Sequence, residues 1–211
     1  MKYVNALLLV IDPQNDFCLG GSMAVPSGDD VIPIINSVAR KFQHMVITQD
    51  WHPEGHLSFA SSHTGKKPFD VARVEYGSQV LWQEHCIQGT RGAELHPALY
   101  TSRAELILRK GFDRKIDSYS AFFDNDQKTP TGLCGYLRER AQSALYVGGL
   151  ATDFCVLYSV LDACRLGFEV TVIEDACKGI DVNGSVADAW RQMTKAGATL
   201  VTSEQFFQEH G

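Results

Sequence analysis

Residues 144–163 read ALYVGGLATDFCVLYSVLDA. An apolar, β-rich run (144–149) meets a glycine pair, and helical spacing then takes over from Asp153 to Leu166. A buried strand, a tight turn and a helix in that order form half of a βαβ unit, which commits the chain to an α/β architecture. Thr152 stands where a helix N-cap is expected, so Cys155 falls in the first helical turn. The partial positive charge of a helix start favours a thiolate there, and free backbone N–H groups could hold an oxyanion.

The same rhythm extends in both directions. ALLLVI (6–11), MVIT (45–48), AELILR (104–109), FEVTVI (168–173) and ATLVT (198–202) read as further strands. They are apolar on both faces, as a sheet covered on both sides requires. Helical patterns lie between them at 31–42, 131–141, 153–166 and 185–196. The expectation is a three-layer α/β/α, Rossmann-like domain with a six-stranded parallel sheet, spanning residues 1–211 as one unit. Residues 51–100 break the rhythm: they are long, aromatic and rich in glycine and histidine. A stretch of that length without a clear element is usually functional.

Composition narrows the function. The 211 residues are 45% hydrophobic and 21% charged, as in an ordinary globular protein. A net charge of -6 excludes a nucleic-acid partner, which needs a basic surface. No apolar run reaches the ~20 residues of a membrane span. The opening MKYVNALLLVID resembles a signal peptide only superficially, because its apolar run stops at Asp12 with no small-residue cleavage site after it. The expected location is the cytoplasm, where the six cysteines stay reduced and most pack as small hydrophobes.

In an open parallel sheet, ligands bind beyond the carboxyl ends of the strands. Residues Asp12, Asp50, Lys110 and Cys155 follow four of those ends. The tripeptide DFC also occurs at 16–18, but Cys18 precedes LGG with no helix start behind it, so it reads as a packed thiol. Cys86, Cys134, Cys164 and Cys177 have no partner motif. Beside Cys155, Asp12 can move protons and Lys110 can stabilise a thiolate. Taken singly, an Asp before proline is a common turn residue and a strand-end lysine is usually solvated. In TQDWHPEGHLSF (48–59), Asp50, His52 and His56 fall close together, and LWQEHCIQG (81–89) adds His85. The pattern describes either a divalent transition-metal site with open positions or a turn with surface histidines. His44, His63, His96 and His210 lack ligand spacing.

Five separated motifs carry a family resemblance: LLVIDPQNDFCLGGSMAV, TQDWHPEGHLSFA, LWQEHCIQGTRGAELHP, RKGFDRKIDSYSAFFDN and YVGGLATDFCVLYSVLDA. In order, from about residue 4 to about residue 205, they resemble the nicotinamidases of the isochorismatase-like (cysteine hydrolase) superfamily. The resemblance implies hydrolysis of nicotinamide to nicotinate and ammonia through a Cys thioester, in NAD salvage. It implies a catalytic Asp12, Lys110 and Cys155, and an oxyanion hole at Ala151 and Cys155 after a cis Leu150–Ala151 peptide. It implies one divalent metal (Zn, Fe or Mn) on Asp50, His52 and His85, with His56 a further ligand in some relatives. Phe17, Trp82 and Tyr119 would line the pyridine pocket. The implied partner is the small molecule itself, and the chain could form a homo-oligomer. The competing readings are hydrolysis of another small amide or ureido group, a non-haem iron oxygenase, and a non-catalytic metal-binding scaffold.

Overall fold

The computed structural model describes residues 6–210. In chain order the strands are β1 (Ala6–Ile11), β2 (His44–Asp50), β3 (Val71–Val74), β4 (Gly77–Val80), β5 (Ala104–Lys110), β6 (Ala144–Leu150), β7 (Glu169–Lys178) and β8 (Thr199–Val201). The helices are α1 (Val31–Ala39), α2 (Leu133–Glu139), α3 (Leu157–Arg165), α4 (Ser185–Lys195) and α5 (Ser203–His210). Six strands form one all-parallel sheet in the order β5-β2-β1-β6-β7-β8. Among the described residues no helix is long and apolar enough to cross a membrane.

Strand periodicity divides the core in two. Every residue of β1 is buried. Its Leu8 and Val10 pack with α1 and with Phe206 of α5, whereas Leu7, Leu9 and Ile11 pack with α2, α3 and α4. Alternate side chains point to opposite faces, so one apolar strand serves two helical layers. At the sheet's edge β5 has covered and exposed residues in alternation, with Glu105, Ile107 and Arg109 facing outward.

The order reverses at β1: the chain runs outward to β2 and β5 on one side, then restarts at β6 on the other. Such a switch point leaves a crevice at the strand ends. Residue 12 leaves β1, Asp50 and Lys110 terminate β2 and β5, and Cys155 follows β6, so all four meet at this crevice.

The departures from the sequence expectation are local. β7 runs on to Lys178, past the expected end at 173. α5 lacks an expected counterpart, because SEQFFQEH has few apolar residues and buries chiefly Phe206. The stretch 51–100 contains an antiparallel hairpin, β3–β4, whose short and mostly polar strands carry little apolar alternation. The expected helix at 153–166 begins as a π turn, Thr152–Val156, before α3.

Candidate active site

Lys110 is the hub. Its side chain is fully buried, with Nζ 2.6 Å from Asp50 Oδ1, 2.8 Å from Asp12 Oδ2, 2.8 Å from the Ser118 carbonyl and 3.4 Å from Cys155 Sγ. An ammonium is tolerated in such a place only because anions surround it. Burial alone would discharge Lys110, but Asp12 and Asp50 outweigh it and hold its pKa well above the usual lysine value.

Asp12 is also fully buried, at a left-handed φ of 45°. Thr48 fixes it from both ends: the Asp12 N–H donates to Thr48 Oγ1 at 3.0 Å, and that hydroxyl donates to Asp12 Oδ1 at 2.5 Å. Oδ2 lies 2.8 Å from the Lys110 ammonium but receives no well-aligned donor, so it keeps a lone pair for a proton. Burial raises the Asp12 pKa, with Lys110 opposing and Asp50 adding. Asp50 moves the other way: Lys110 and His52 overcome its burial and hold it well below the usual carboxylate range. The two carboxylates flanking Lys110 are thus shifted in opposite directions.

Cys155 corrects two expectations. Ala151, and not Thr152, occupies the cap position, no side chain caps the turn, and the Thr152 hydroxyl has no partner among the described residues. Nor does the helix start alone set the thiol's pKa. Burial raises the Cys155 pKa well above the usual thiol value, Lys110 opposes this, and Asp12 and Asp50 add to it. Its Sγ stands 3.4 Å from the Lys110 ammonium and in one cluster with Asp12 and Asp50. The Leu150–Ala151 peptide is cis.

A second cluster shares Asp50. His52 Nε2 lies 3.4 Å and His85 Nε2 3.6 Å from Asp50 Oδ2. Each ring's Nδ1 is spent on a backbone carbonyl, Gly111 at 2.8 Å for His52 and Gln83 at 2.7 Å for His85. In the neutral tautomers both Nε2 lone pairs therefore face a carboxylate oxygen. Such a convergence could hold a cation, and two imidazoles with a carboxylate suit a divalent transition metal. A glycine is needed at 111, where φ is 66° and a Cβ would lie 2.5 Å from His52 Cε1.

His56 sits apart from this convergence. Its Nδ1 accepts from Ser58 Oγ at 2.7 Å, and its Nε2 donates to the Asp113 carbonyl at 2.9 Å. Its ring stacks on His52 at 4.3 Å, so it buttresses a ligand with both nitrogens already engaged. His44 pairs with Glu105 and His96 with Asp29, away from the cluster.

Between the two clusters opens a narrow cavity, lined by Cys155, Ala151, Asp50 and His85 on its polar side. Phe17, Trp82 and Tyr119 form its aromatic walls, joined by Phe154, Met23 and Ile180. The Tyr119 hydroxyl accepts from Trp82 Nε1 at 3.1 Å and from Gln79 Nε2 at 3.0 Å.

Several contributors lie outside the sequence reading. Asp117 lines the cavity, with Oδ1 4.0 Å from His52 Nε2 and Oδ2 taking a 2.7 Å bond from Gln79. Gln14 holds Asp50 by its backbone, donating to its carbonyl at 2.8 Å and accepting its N–H at 2.7 Å. Asp117 stands two residues before Tyr119 and Gln14 two after Asp12, so proximity in sequence was the available signal. Gln79 comes from the hairpin, and nothing local marks it.

Residues 6–205 match the model of the isochorismatase domain. The nicotinamidase of Acinetobacter baylyi is 53% identical over 199 residues, covering 94% of this chain and 93% of that protein. The structure of an Acinetobacter baumanii nicotinamidase and pyrazinamidase superposes with a TM-score of 0.96 at 52% identity, covering 98% of this chain and all of the other. A Pyrococcus horikoshii pyrazinamidase in complex with zinc superposes with a TM-score of 0.76 at 34% identity, covering 94% of this chain and 99% of that one.

Proposed function

The chain belongs to the isochorismatase-domain family, and from that membership we propose that it hydrolyses nicotinamide to nicotinate and ammonia in NAD salvage. The close nicotinamidase relative and structure support the substrate. One observation carries the chemistry: a thiol, its base and a buried ammonium meet at one wall of an aromatic cavity whose other polar wall is Asp50 and His85.

In the first half-reaction, Cys155 Sγ attacks the amide carbon while its proton moves to Asp12. The carbonyl oxygen becomes an oxyanion, for which the N–H groups of Ala151 and Cys155 are the candidate donors. Two neighbouring amides, Phe154 and Val156, are already committed to the Ala151 carbonyl. As the C–N bond breaks, Asp12 returns the proton to nitrogen and ammonia leaves. In the second half, water attacks the thioester and gives a proton to Asp12. The C–S bond breaks, nicotinate departs and the thiol regains its proton. Lys110 holds both carboxylates in register and offsets negative charge gathering on sulfur.

Asp50, His52 and His85 are the residues that would hold a divalent metal, as the zinc complex of the Pyrococcus relative supports. Such a metal would supply an open coordination position suited to the ring nitrogen of a pyridine. His56, with both nitrogens engaged, stays outside the set. All six cysteines are free, which supports a cytoplasmic location.

An oxygenase on two histidines and a carboxylate is disfavoured, because it leaves the buried Cys155, Asp12 and Lys110 without a task. The test is ammonia release from nicotinamide by purified protein, with and without a chelator. Turnover that vanishes on chelation and returns with metal supports the whole scheme. An absence of ammonia from the metal-loaded protein would sink it.

A further inference from the structure

In both Asp-Phe-Cys tripeptides the aspartate does work that the hydrolysis does not use. Asp153 is buried, and its Oδ1 accepts from Ile180 N at 3.0 Å. Its Oδ2 accepts from Asp181 N at 2.9 Å and from Ser185 Oγ at 2.5 Å. In Asp16, Oδ1 accepts from Ser22 N at 3.1 Å and Oδ2 from Cys86 N at 2.7 Å, while its carbonyl accepts from Met23 N at 3.0 Å. Each carboxylate packs against a glycine, Gly179 or Gly92, where any Cβ would collide with it.

The two loops so held carry Ile180 and Met23. Both side chains line the catalytic cavity, and both also line a second chamber outside it. That chamber is partly open to solvent; Ala24, Pro68 and Phe69 make most of its wall, with Ser22 and Gln83 beside them. Met23 and Ile180 are thus the partition between the two spaces. The loop carrying Ile180 is costly to hold: Asp181 and Asn183 have φ of 61° and 54°, and residues with a Cβ disfavour that region. Three hydrogen bonds to one carboxylate over-determine it.

We propose that Asp16 and Asp153 are paired positioning residues that hold Met23 and Ile180 as a gate, which sets the largest ring the cavity accepts. The inference rests on the reading of the cavity as a pyridine-carboxamide site. With the gate held, an apolar substituent on the ring is blocked from the outer chamber. Loosening either loop joins the two spaces. The expected signature is a change in selectivity and substrate binding, with the nucleophile left competent.

The experiment measures kcat and KM for nicotinamide and for 5- and 6-phenylnicotinamide. It compares the wild type with Asp16→Ala, Asp153→Ala, Asp153→Asn, Met23→Ala and Ile180→Ala. The alanine variants should raise KM for nicotinamide about fivefold and change kcat less. In the same variants kcat/KM for a phenylated substrate, relative to nicotinamide, should rise about tenfold or more. Asp153→Asn keeps one acceptor oxygen and should fall between the wild type and Asp153→Ala. If Asp153→Ala does not fold, Asp16→Ala and Ile180→Ala carry the test, because they leave the nucleophile turn untouched. Unchanged selectivity in Met23→Ala and Ile180→Ala overturns the gate. Selectivity that shifts in those two but not in the aspartate variants overturns the positioning role. A wild type that hydrolyses no nicotinamide overturns the functional reading first, a result distinct from either.

Discussion

The chain spells Asp-Phe-Cys twice, and only one copy sets its thiol beside a buried lysine. The shared parts behave alike: Phe17 and Phe154 both wall the cavity, and Asp16 and Asp153 both tie down loops. The cysteines diverge. Cys18 closes a short 3-10 turn (Asn15–Phe17), and burial with Asp29 nearby pushes its thiol up to about 11 with no cation to oppose it. Cys155 is also pushed up by burial, but it has Lys110 at 3.4 Å and Asp12 in the same cluster. The difference lies in what the sheet delivers. Cys155 follows β6 at the switch point, where β1 supplies Asp12 and β5 supplies Lys110. A tripeptide carries no chemistry until a strand end brings it partners.

The sharpest way to break this comparison is to remove the thiol that has partners. Cys155→Ala should lower kcat by about 10⁴-fold or more, since both half-reactions run through its sulfur. Retention of even a tenth of the wild-type rate would mean the nucleophile lies elsewhere. Asp12→Asn comes next, at about 10³-fold, because the amide cannot take the thiol proton. The variant should keep its metal, as Asp12 is not in the Asp50/His52/His85 set. Loss of metal and rate together would merge two clusters that the argument separates.

The Asp50/His52/His85 cluster should give a smaller and differently shaped effect. His52→Ala should lose bound metal and lower kcat/KM by about 10²-fold or more, mainly through substrate positioning. Iodoacetamide should still modify Cys155 at the wild-type rate, because His52 is not among the groups that set its pKa. Benzamide has the amide without a ring nitrogen, and it should be a poor substrate of the metal-loaded wild type. Equal turnover of benzamide and nicotinamide would leave the metal no part in recognition. Gly111→Ala perturbs the same cluster indirectly, because the new Cβ meets His52 at 2.5 Å. Metal affinity should fall about tenfold, with Cys155 chemistry intact once metal is saturating.

How much of this was legible follows from the range of each signal. Period-two burial and strand ends are local, so the six-stranded sheet and the placement of Asp12, Asp50, Lys110 and Cys155 could be read from the chain. The π turn, the uncapped Thr152 and the raised pKa of Cys155 could not, because they depend on burial by distant elements and on Asp12 and Asp50 beside the sulfur. The helix-start argument for a thiolate weighed a local dipole and lacked the two carboxylates that oppose it. His56 shows the same limit. Its spacing from His52 fits a ligand and it forms a candidate metal group with His52 and Asp117, while its nitrogens also bond Ser58 and the Asp113 carbonyl, partners that no spacing reveals. Gln79 is the extreme case, a hairpin residue whose partners Asp117 and Tyr119 lie about forty positions away.

The smallest effect belongs to the other cysteine, and its smallness is the point. Cys18 is 2% exposed in the core that packs against α1, so Cys18→Ala leaves a small void. A loss of about 1 kcal/mol is the expected scale, which for a chain of this size lowers Tm by about 2–4 °C. Nicotinamide kcat should stay within about twofold of wild type, because Cys18 does not line the catalytic cavity and its neighbours are Asp29 and His96, with no lysine ammonium among them. The pKa shift gives a second readout with a definite sign. A thiol pushed up to about 11 is almost wholly protonated at neutral pH, so alkylation of Cys18 should be very slow there. Its rate should rise about tenfold per pH unit and level off only near pH 11. Peptide mapping after iodoacetamide at pH 7 and pH 9 measures this directly. Rapid labelling of Cys18 at pH 7, or a tenfold loss of kcat in Cys18→Ala, would make the two tripeptides chemically equivalent, and the case for the strand end as the source of reactivity would fail.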